Sequence, residues 1–322
     1  MRNKFSELLY EYAIKDPRVY VVVADISPAG SMAKFRDEFP DRFINVGVAE
    51  QAMIGICAGL AKEGAIPFAY TIAAFSVVRP YEFIRDDIAL AGLNVNIVGI
   101  GGGLIYSTLG PTHHTTDDIG LMTLLPGMKV YSPGDAKEVE LVMEQRLGSH
   151  SGNGPSYIRL GKAGEPNLPV IEGNKSRSKE MTNLRFLKVQ SNSKVLMISY
   201  GVLVNRLLQV SELMFETKNL RADVASMPLV SPVDWQQIEI DIAQYSLVCV
   251  VEEHQDVGSI GLQFAANGKL MNKTIHRINL GSKFIKNYGS YEQILDSSGL
   301  SVDDIANEIV REAYRLDNDG RE

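Results

Sequence analysis

At 322 residues the chain is long enough for two domains. Its 45% hydrophobic and 22% charged residues are those of a globular protein, and a net charge of −7 excludes the basic footprint of a nucleic-acid or acidic-membrane binder. The two cysteines, Cys57 and Cys249, lie in apolar runs and read as reduced core thiols, not a disulfide framework. The opening MRNKFSELLYEYAIKD is amphipathic without an apolar signal core, and no run reaches the roughly eighteen apolar residues of a membrane span. A cytoplasmic protein is expected.

After the opening helix, VYVVVA at 19–24 is continuously apolar and β-branched, the pattern of a strand buried on both faces of a parallel sheet. Asp25 stands at its carboxyl end, where open α/β sheets place their ligand crevices. The rhythm repeats with a strand over 43–48, a helix from Glu50, a strand over 66–70, a helix over 81–90 and a strand over 94–100. GMKVYSP, a helix over 135–145 and the strand SYIRLG close this first series. Such alternation predicts an α/β fold on a doubly wound parallel sheet. Residues 166–193 are polar and rich in Pro, Gly and Ser, and read as a linker between domains over 1–165 and 194–322. The second series runs KVLMISYG, a helix over 202–217, RADVASM, a helix near 234–243, SLVCVVEEH, a helix over 260–271 and HRINLG. The halves share an architecture but no sequence repeat.

Within GVAEQAMIGICAGLAKEG, 47–64, Glu50 and Gln51 occupy the first turn of a helix. Its apolar stripe is Met53, Ile54, Ile56, Cys57, Leu60 and Ala61, with small residues between them. A carboxylate so placed can be buried by a ligand or another subunit, and it also complements the helix dipole. GGG at 101–103 follows a strand but lacks both the GxGxxG spacing and the Lys-Ser/Thr of a P-loop, which excludes nucleotide binding there. No His/Cys cluster has metal-ligand spacing, and there is no Gly-x-Ser-x-Gly elbow. GPTHH, 110–114, sets two adjacent imidazoles on a rigid turn, a pattern that serves function and structure alike. In AYTIAAFSVVRPYEFIRDDIA the periodicity favours a core helix over a ring-binding wall.

In chain order VGVAEQ, AAF, RPYEFIRDDIA, GPTHH and EEHQDVGSIG resemble the transketolase family. More closely, they resemble the C-terminal half of a split transketolase, a pyrimidine-binding domain followed by a transketolase C-terminal-like domain. The resemblance covers nearly the whole chain, leaving no room for the diphosphate-binding domain with its Gly-Asp-Gly stretch and Mg²⁺ ligands. It implies thiamine diphosphate as cofactor, with Mg²⁺ held by ligands on a partner. That partner would be the N-terminal transketolase subunit in a heterotetramer, the substrates sugars or sugar phosphates, and neither nucleic acid nor membrane would be bound.

By that resemblance Glu50 is the catalytic glutamate that hydrogen-bonds the pyrimidine N1′ and favours the imino tautomer, whose nitrogen removes the C2 proton. Burial favours the protonated form of a carboxyl group, which suits one that shares a proton with a ring. Phe75 matches the aromatic that packs on the aminopyrimidine, and Ile72 stands at the family's other flanking aromatic position. His113 matches the histidine that contacts donor-sugar hydroxyls, and is the second catalytic candidate. Asp25 lies in DISPA, similar to the family's Asp-Leu-Ala-Pro-Ser segment, and Arg159 and Arg2 match arginines that grip a sugar phosphate. The chain departs from the family at Leu109, where an acidic residue is usual, at Gly101, where a histidine is, and at Ala29, where a serine is. These losses of polar contact imply an acceptor other than the usual pentose phosphates. His254 in EEH reads as structural. The expected activity is transfer of a two-carbon ketol unit from a ketose to an aldehyde. The alternatives are the β subunit of a 2-oxoacid dehydrogenase and a non-catalytic scaffold subunit of the same fold; a 1-deoxyxylulose-5-phosphate synthase is disfavoured because it is one long chain.

Overall fold

The computed structural model describes residues 1–26, 31–148, 154–171 and 181–319. Its strands are β1 (Val19–Val23), β2 (Phe43–Asn45), β3 (Ile66–Ile72), β4 (Asn96–Ile100), β5 (Lys129–Tyr131), β6 (Ser156–Leu160), β7 (Arg185–Lys188), β8 (Val195–Ser199), β9 (Ala222–Ser226), β10 (Leu229–Ser231), β11 (Leu247–Val251) and β12 (Thr274–Ile278). They form a seven-stranded sheet, β10-β5-β6-β4-β3-β1-β2, and a five-stranded sheet, β12-β11-β8-β9-β7. Pairing is parallel except where β10 meets β5 and β7 meets β9. The helices are α1 (Arg2–Lys15), α2 (Ser31–Glu38), α3 (Glu50–Lys62), α4 (Ala73–Val77), α5 (Tyr81–Phe83), α6 (Asp118–Thr123), α7 (Ala136–Leu147), α8 (Val204–Lys218), α9 (Trp235–Asp241), α10 (Ile260–Ala266), α11 (Tyr291–Ser297) and α12 (Val302–Asp319). None is long and apolar enough to cross a membrane.

The valine run of β1 shows why the strands lack polar alternation. Val21 and Val23 enter one core with Phe5 and Leu9 of α1, whereas Val22 enters the opposite core with Met53, Ile54 and Cys57 of α3. Successive side chains point to opposite faces, so a strand covered on both sides must be apolar at every position. The core containing Val22 continues across the domain junction to Leu196, Ile198, Val248 and Val250, so the two sheets share one hydrophobic interior. Cys57 and Cys249 are both fully buried, and burial pushes each thiol far above its ordinary pKa.

Several elements differ from the sequence expectation. The end of the expected linker is a strand: β7 uses residues 185–188 to close the second sheet. The helix expected over 81–90 is a single α turn followed by a π-helical stretch at Ile84–Ala89, which keeps Ile84 and Ile88 buried. Beyond HRINLG, where no element is predicted, α11 and α12 cover the outer face of the second sheet. The α12 residues Ile305, Ala306, Ile309, Val310 and Ala313 supply the apolar face. The Ser301 hydroxyl accepts from the Asp304 amide at 2.9 Å and caps that helix. The largest departure is β10. Only two residues after β9, the chain leaves the second sheet and pairs antiparallel with β5 of the first, Leu229 against Tyr131.

The EEH turn after β11 completes the junction. Glu252 accepts the first amides of α10, Ile260 N at 2.9 Å and Gly261 N at 2.7 Å, and the Tyr200 hydroxyl at 2.9 Å. Glu253 crosses to the first domain, accepting the Leu104 amide at 2.9 Å, and also accepts from the Tyr291 hydroxyl. His254 Nε2 accepts from Gly120 N at 3.1 Å and so ties the turn to the first domain, while Nδ1 donates to the neighbouring Gln255 carbonyl at 2.7 Å and fixes the ring. Burial raises the Glu253 carboxyl above its ordinary value of 4.5, with the Arg159 charge working against that rise. The folded chain therefore keeps a proton that the unfolded chain loses, and this group makes stability fall as pH rises from 4.5 through the folded value. Urea midpoints measured across that window should decline less steeply in Glu253→Gln than in the wild type.

Candidate functional site at the carboxyl edge of the first sheet

The loops leaving β1 and β2 are tied by one side chain. Asn45 Oδ1 accepts the Asp25 amide at 3.2 Å and the Gly47 amide at 3.0 Å. Asp25 and Gly47 both take positive φ, 46° and 71°, which folds the two loops beside each other. The chain then enters α3 with Glu50 as its first residue. Glu50 is only 2% exposed although it is charged and sits at a helix start. Its Oε1 accepts from Arg79 Nη1 at 2.9 Å.

Phe75 is brought alongside by a close approach of backbones. Gly99 on β4 has no room for a Cβ, which would lie 3.0 Å from Ala73, so α4 packs directly against the sheet. From α4 the half-buried Phe75 presents its face to Arg79, whose guanidinium carbon lies 4.3 Å from the ring centroid. The edge of Phe75 meets His113, with centroids 5.1 Å apart at 68°. His113 Nδ1 is 3.0 Å from the Thr112 hydroxyl. On its other side His113 meets Tyr106 at 6.3 Å. Burial raises the Tyr106 phenol and the charge of nearby Arg2 offsets part of that rise. The Lys162 ammonium lies 5.3 Å from the Tyr106 ring centroid. The adjacent His114 is half-buried, and burial lowers its pKa, so it is a neutral imidazole near neutral pH.

Glu50, Phe75 and His113 thus lie in one continuous line of contacts, with Ile72 at the N-cap of α4 and Asp25 on the loop tied to the start of α3. Arg2 stands near Tyr106, at the far end of the line. Arg159 is elsewhere: it is 5% exposed, its Nε donates to Asp118 Oδ2 at 3.0 Å and its Nη2 to the Thr115 carbonyl at 3.2 Å. A Cβ at Gly102 would collide with Arg159 and one at Gly103 with Glu253, which accounts for the last two glycines of the triplet. Leu109 is 46% exposed at the end of a 3₁₀ turn, and Ala29 lies outside the described residues. Three residues at the site were not anticipated, Lys162 over the Tyr106 ring among them. Arg79 sits in the stretch whose periodicity suggested core, and Tyr106 fills the space that a side chain at Gly101 would need. The absent histidine at 101 is the signal that could have found Tyr106. Among the described residues no group of three or more His, Cys, Asp or Glu side chains is arranged to hold a metal.

Residues 1–165 match the transketolase pyrimidine-binding domain and residues 185–305 the transketolase C-terminal domain. The 6-deoxy-6-sulfo-D-fructose transketolase subunit of a Clostridium species is 31% identical over 98% of this chain and 94% of that protein. One of the subunits of the apulose-4-phosphate transketolase of Phocaeicola vulgatus is 30% identical over 81% of this chain and 80% of that one. Among solved structures, one described as a split gene transketolase, inactive beta4 tetramer, superposes with a TM-score of 0.79 at 28% identity, covering 96% of this chain and 97% of its own. With two matching domains in sequence and relatives of the same extent, the chain belongs to the transketolase family and has the domain content of the C-terminal subunit of a split transketolase.

Proposed function

We propose that the chain is the pyrimidine-binding, catalytic subunit of a two-component transketolase that moves a two-carbon ketol unit from a ketose to an aldehyde. The observation that carries this reading is the pairing of a nearly inaccessible carboxylate with an aromatic face, Glu50 beside Phe75. Arg79 is a stand-in that tests the fit: a flat group with N–H on its edge lies against Phe75 and donates to Glu50. An aminopyrimidine in its imino or N1′-protonated form has the same two features, a flat face and an N–H on the edge toward Glu50, so the residues present fit that part of thiamine diphosphate. The cofactor, when bound, supplies a nucleophilic carbon and a thiazolium that stabilises the charge left by carbon–carbon cleavage.

In this reading Glu50 exchanges a proton with the pyrimidine ring, in a position where little water competes. Phe75 stacks on the ring and Ile72 walls its other side. His113 directs Nε2 to donor hydroxyls, because its Nδ1 faces Thr112. Asp25, exposed on the loop beside α3, meets a substrate hydroxyl at the rim. Arg2 and Lys162, both near Tyr106, hold an anionic end of the substrate. The relatives named above act on a sulfo sugar and a sugar phosphate, both of which carry such an end. Arg159, matched to the phosphate-gripping arginines, is instead committed to Asp118 and the Thr115 carbonyl, and its part in this reading is to hold the loop after β4 in place. The diphosphate and Mg²⁺ would be held by the partner subunit, in a heterotetramer acting in the cytoplasm.

Three outcomes check the reading. The purified chain alone should show no ketol transfer, and mixing it with a subunit carrying the diphosphate-binding domain should restore it. Turnover by the single chain would refute the two-component assignment. In the reconstituted complex Glu50→Gln should preserve assembly while lowering kcat about 10²–10⁴-fold. Deuterium exchange at the cofactor's C2 separates this from a helix-dipole role, which predicts unchanged exchange and a stability loss of about 0.3–1 kcal/mol. Lys162→Met should raise KM for an anionic acceptor about 10–100-fold while kcat changes little, as expected for a charged contact made equally in ground and transition states.

A further inference from the structure

Arg79 does more than demonstrate the shape of the seat. Its side chain leaves the short turn between α4 and α5, with α4 ending at Val77 and α5 beginning at Tyr81. It is 44% exposed, yet its head is engaged on two sides. The guanidinium carbon lies 4.3 Å from the Phe75 ring centroid, and one terminal nitrogen donates to Glu50 at 2.9 Å. These are the two contacts that the proposed function requires of the cofactor ring. Two flat groups cannot lie against one face of Phe75 and share one Glu50 oxygen at the same time.

We propose that Arg79 is an intrinsic occupant of the pyrimidine seat, which closes the site of the chain until a cofactor ring displaces it. The inference rests on the thiamine diphosphate reading of Glu50 and Phe75. The geometry meets the requirements of a displaceable plug. A guanidinium is planar and carries donors along its edge, so it satisfies the Glu50 carboxylate, which would otherwise be buried with no partner. Arginine also stacks favourably on an aromatic face. Its long stem starts on an exposed turn, where Val78 is itself 51% exposed, so the head can swing into solvent without disturbing a helix. Arg79 therefore protects the carboxylate in the empty site and competes with the ring that would replace it. Cofactor affinity in this enzyme is set partly by the work of evicting a residue of its own chain.

The test compares cofactor binding by complexes reconstituted from wild-type, Arg79→Met and Arg79→Gln chains, with no sugar substrate present. Isothermal calorimetry with thiamine diphosphate and Mg²⁺ gives the dissociation constants. Arg79→Met keeps an apolar stem over Phe75 and removes the donor fork, and should bind the cofactor about tenfold more tightly than the wild type. Arg79→Gln, a weaker and uncharged donor, should fall between them and guards against a Met variant that fails to assemble. A second probe, 4-amino-2-methylpyrimidine, reports the seat without the diphosphate and should show the same order of affinities. If the wild-type complex binds cofactor and both variants bind it equally or more weakly, Arg79 is no competitor and the proposal is overturned. If neither wild-type nor variant complexes bind cofactor or fragment, the thiamine reading of Glu50 fails, and the plug fails with it.

Discussion

A guanidinium taken out of water needs its acceptors built into the fold, and Arg159 collects them from both domains. Asp118 takes its Nε, the Thr115 carbonyl its Nη2, and the Glu253 carbonyl lies 3.5 Å from the same nitrogen. The Tyr157 hydroxyl donates to the shared Asp118 oxygen at 2.7 Å. Much of the site's architecture follows from satisfying this one charge. At the strand exit, Gly102 and Gly103 have no room for a side chain because the guanidinium and Glu253 press against them. The loop that carries His113 is anchored at its far end by Thr115 and Asp118. The second domain contributes the turn that closes the cluster. Breaking the junction would leave a buried cation short of partners, so the loop that carries His113 and the domain interface are parts of one construction.

How much of this was legible in the sequence depended on how local the cause was. The strands of the first sheet could be read because burial on both faces writes apolar residues at every position, as in Val19–Val23. The stretch around Glu50 shows a carboxylate opening an otherwise apolar, small-residue helix, which fits a helix-dipole role equally well. The resemblance of the ordered motifs is what marks it as a site candidate, and its burial appears only in the fold. Arg79 could not be read, since its meaning depends on a turn that aims it back across Phe75, and the surrounding stretch reports only the burial of Ile84 and Ile88. The glycine triplet was visible, but what it makes room for lies far along the chain: Arg159 is 57 positions after Gly102, and Glu253 is 150 after Gly103. β10 was hidden for the same reason: three residues carry no periodicity, and only their partner in β5 makes them a strand. The last helix is different, because the apolar spacing of Ile305, Ile309 and Ala313 is local and stands in the sequence itself.

At the start of α3 a buried carboxylate stands beside an exposed apolar side chain. Glu50 is hidden, whereas Val48 before it is 70% exposed. Exposed apolar side chains beside a buried functional carboxylate are the surface a second subunit would cover. Fold and chemistry agree on this point. In the proposed reading the chain meets only the ring of the cofactor, and the exposed rim at Val48 is where a subunit holding the anionic end would dock.

The crossing of β10 into the first sheet has a consequence for how the molecule comes into being. While the chain is being synthesised, the first six strands emerge before their seventh neighbour exists. Until Leu229–Ser231 follows, β5 is an edge with unpaired backbone groups. A nascent first domain is therefore sticky at that edge throughout the making of β7 to β9, and becomes self-contained only when a segment of the other domain has reached back to seal it. The boundary that the two family matches draw across the sequence is consequently not a boundary in folding. The first sheet is completed only partway through the second domain, after β9 and before β11 and β12.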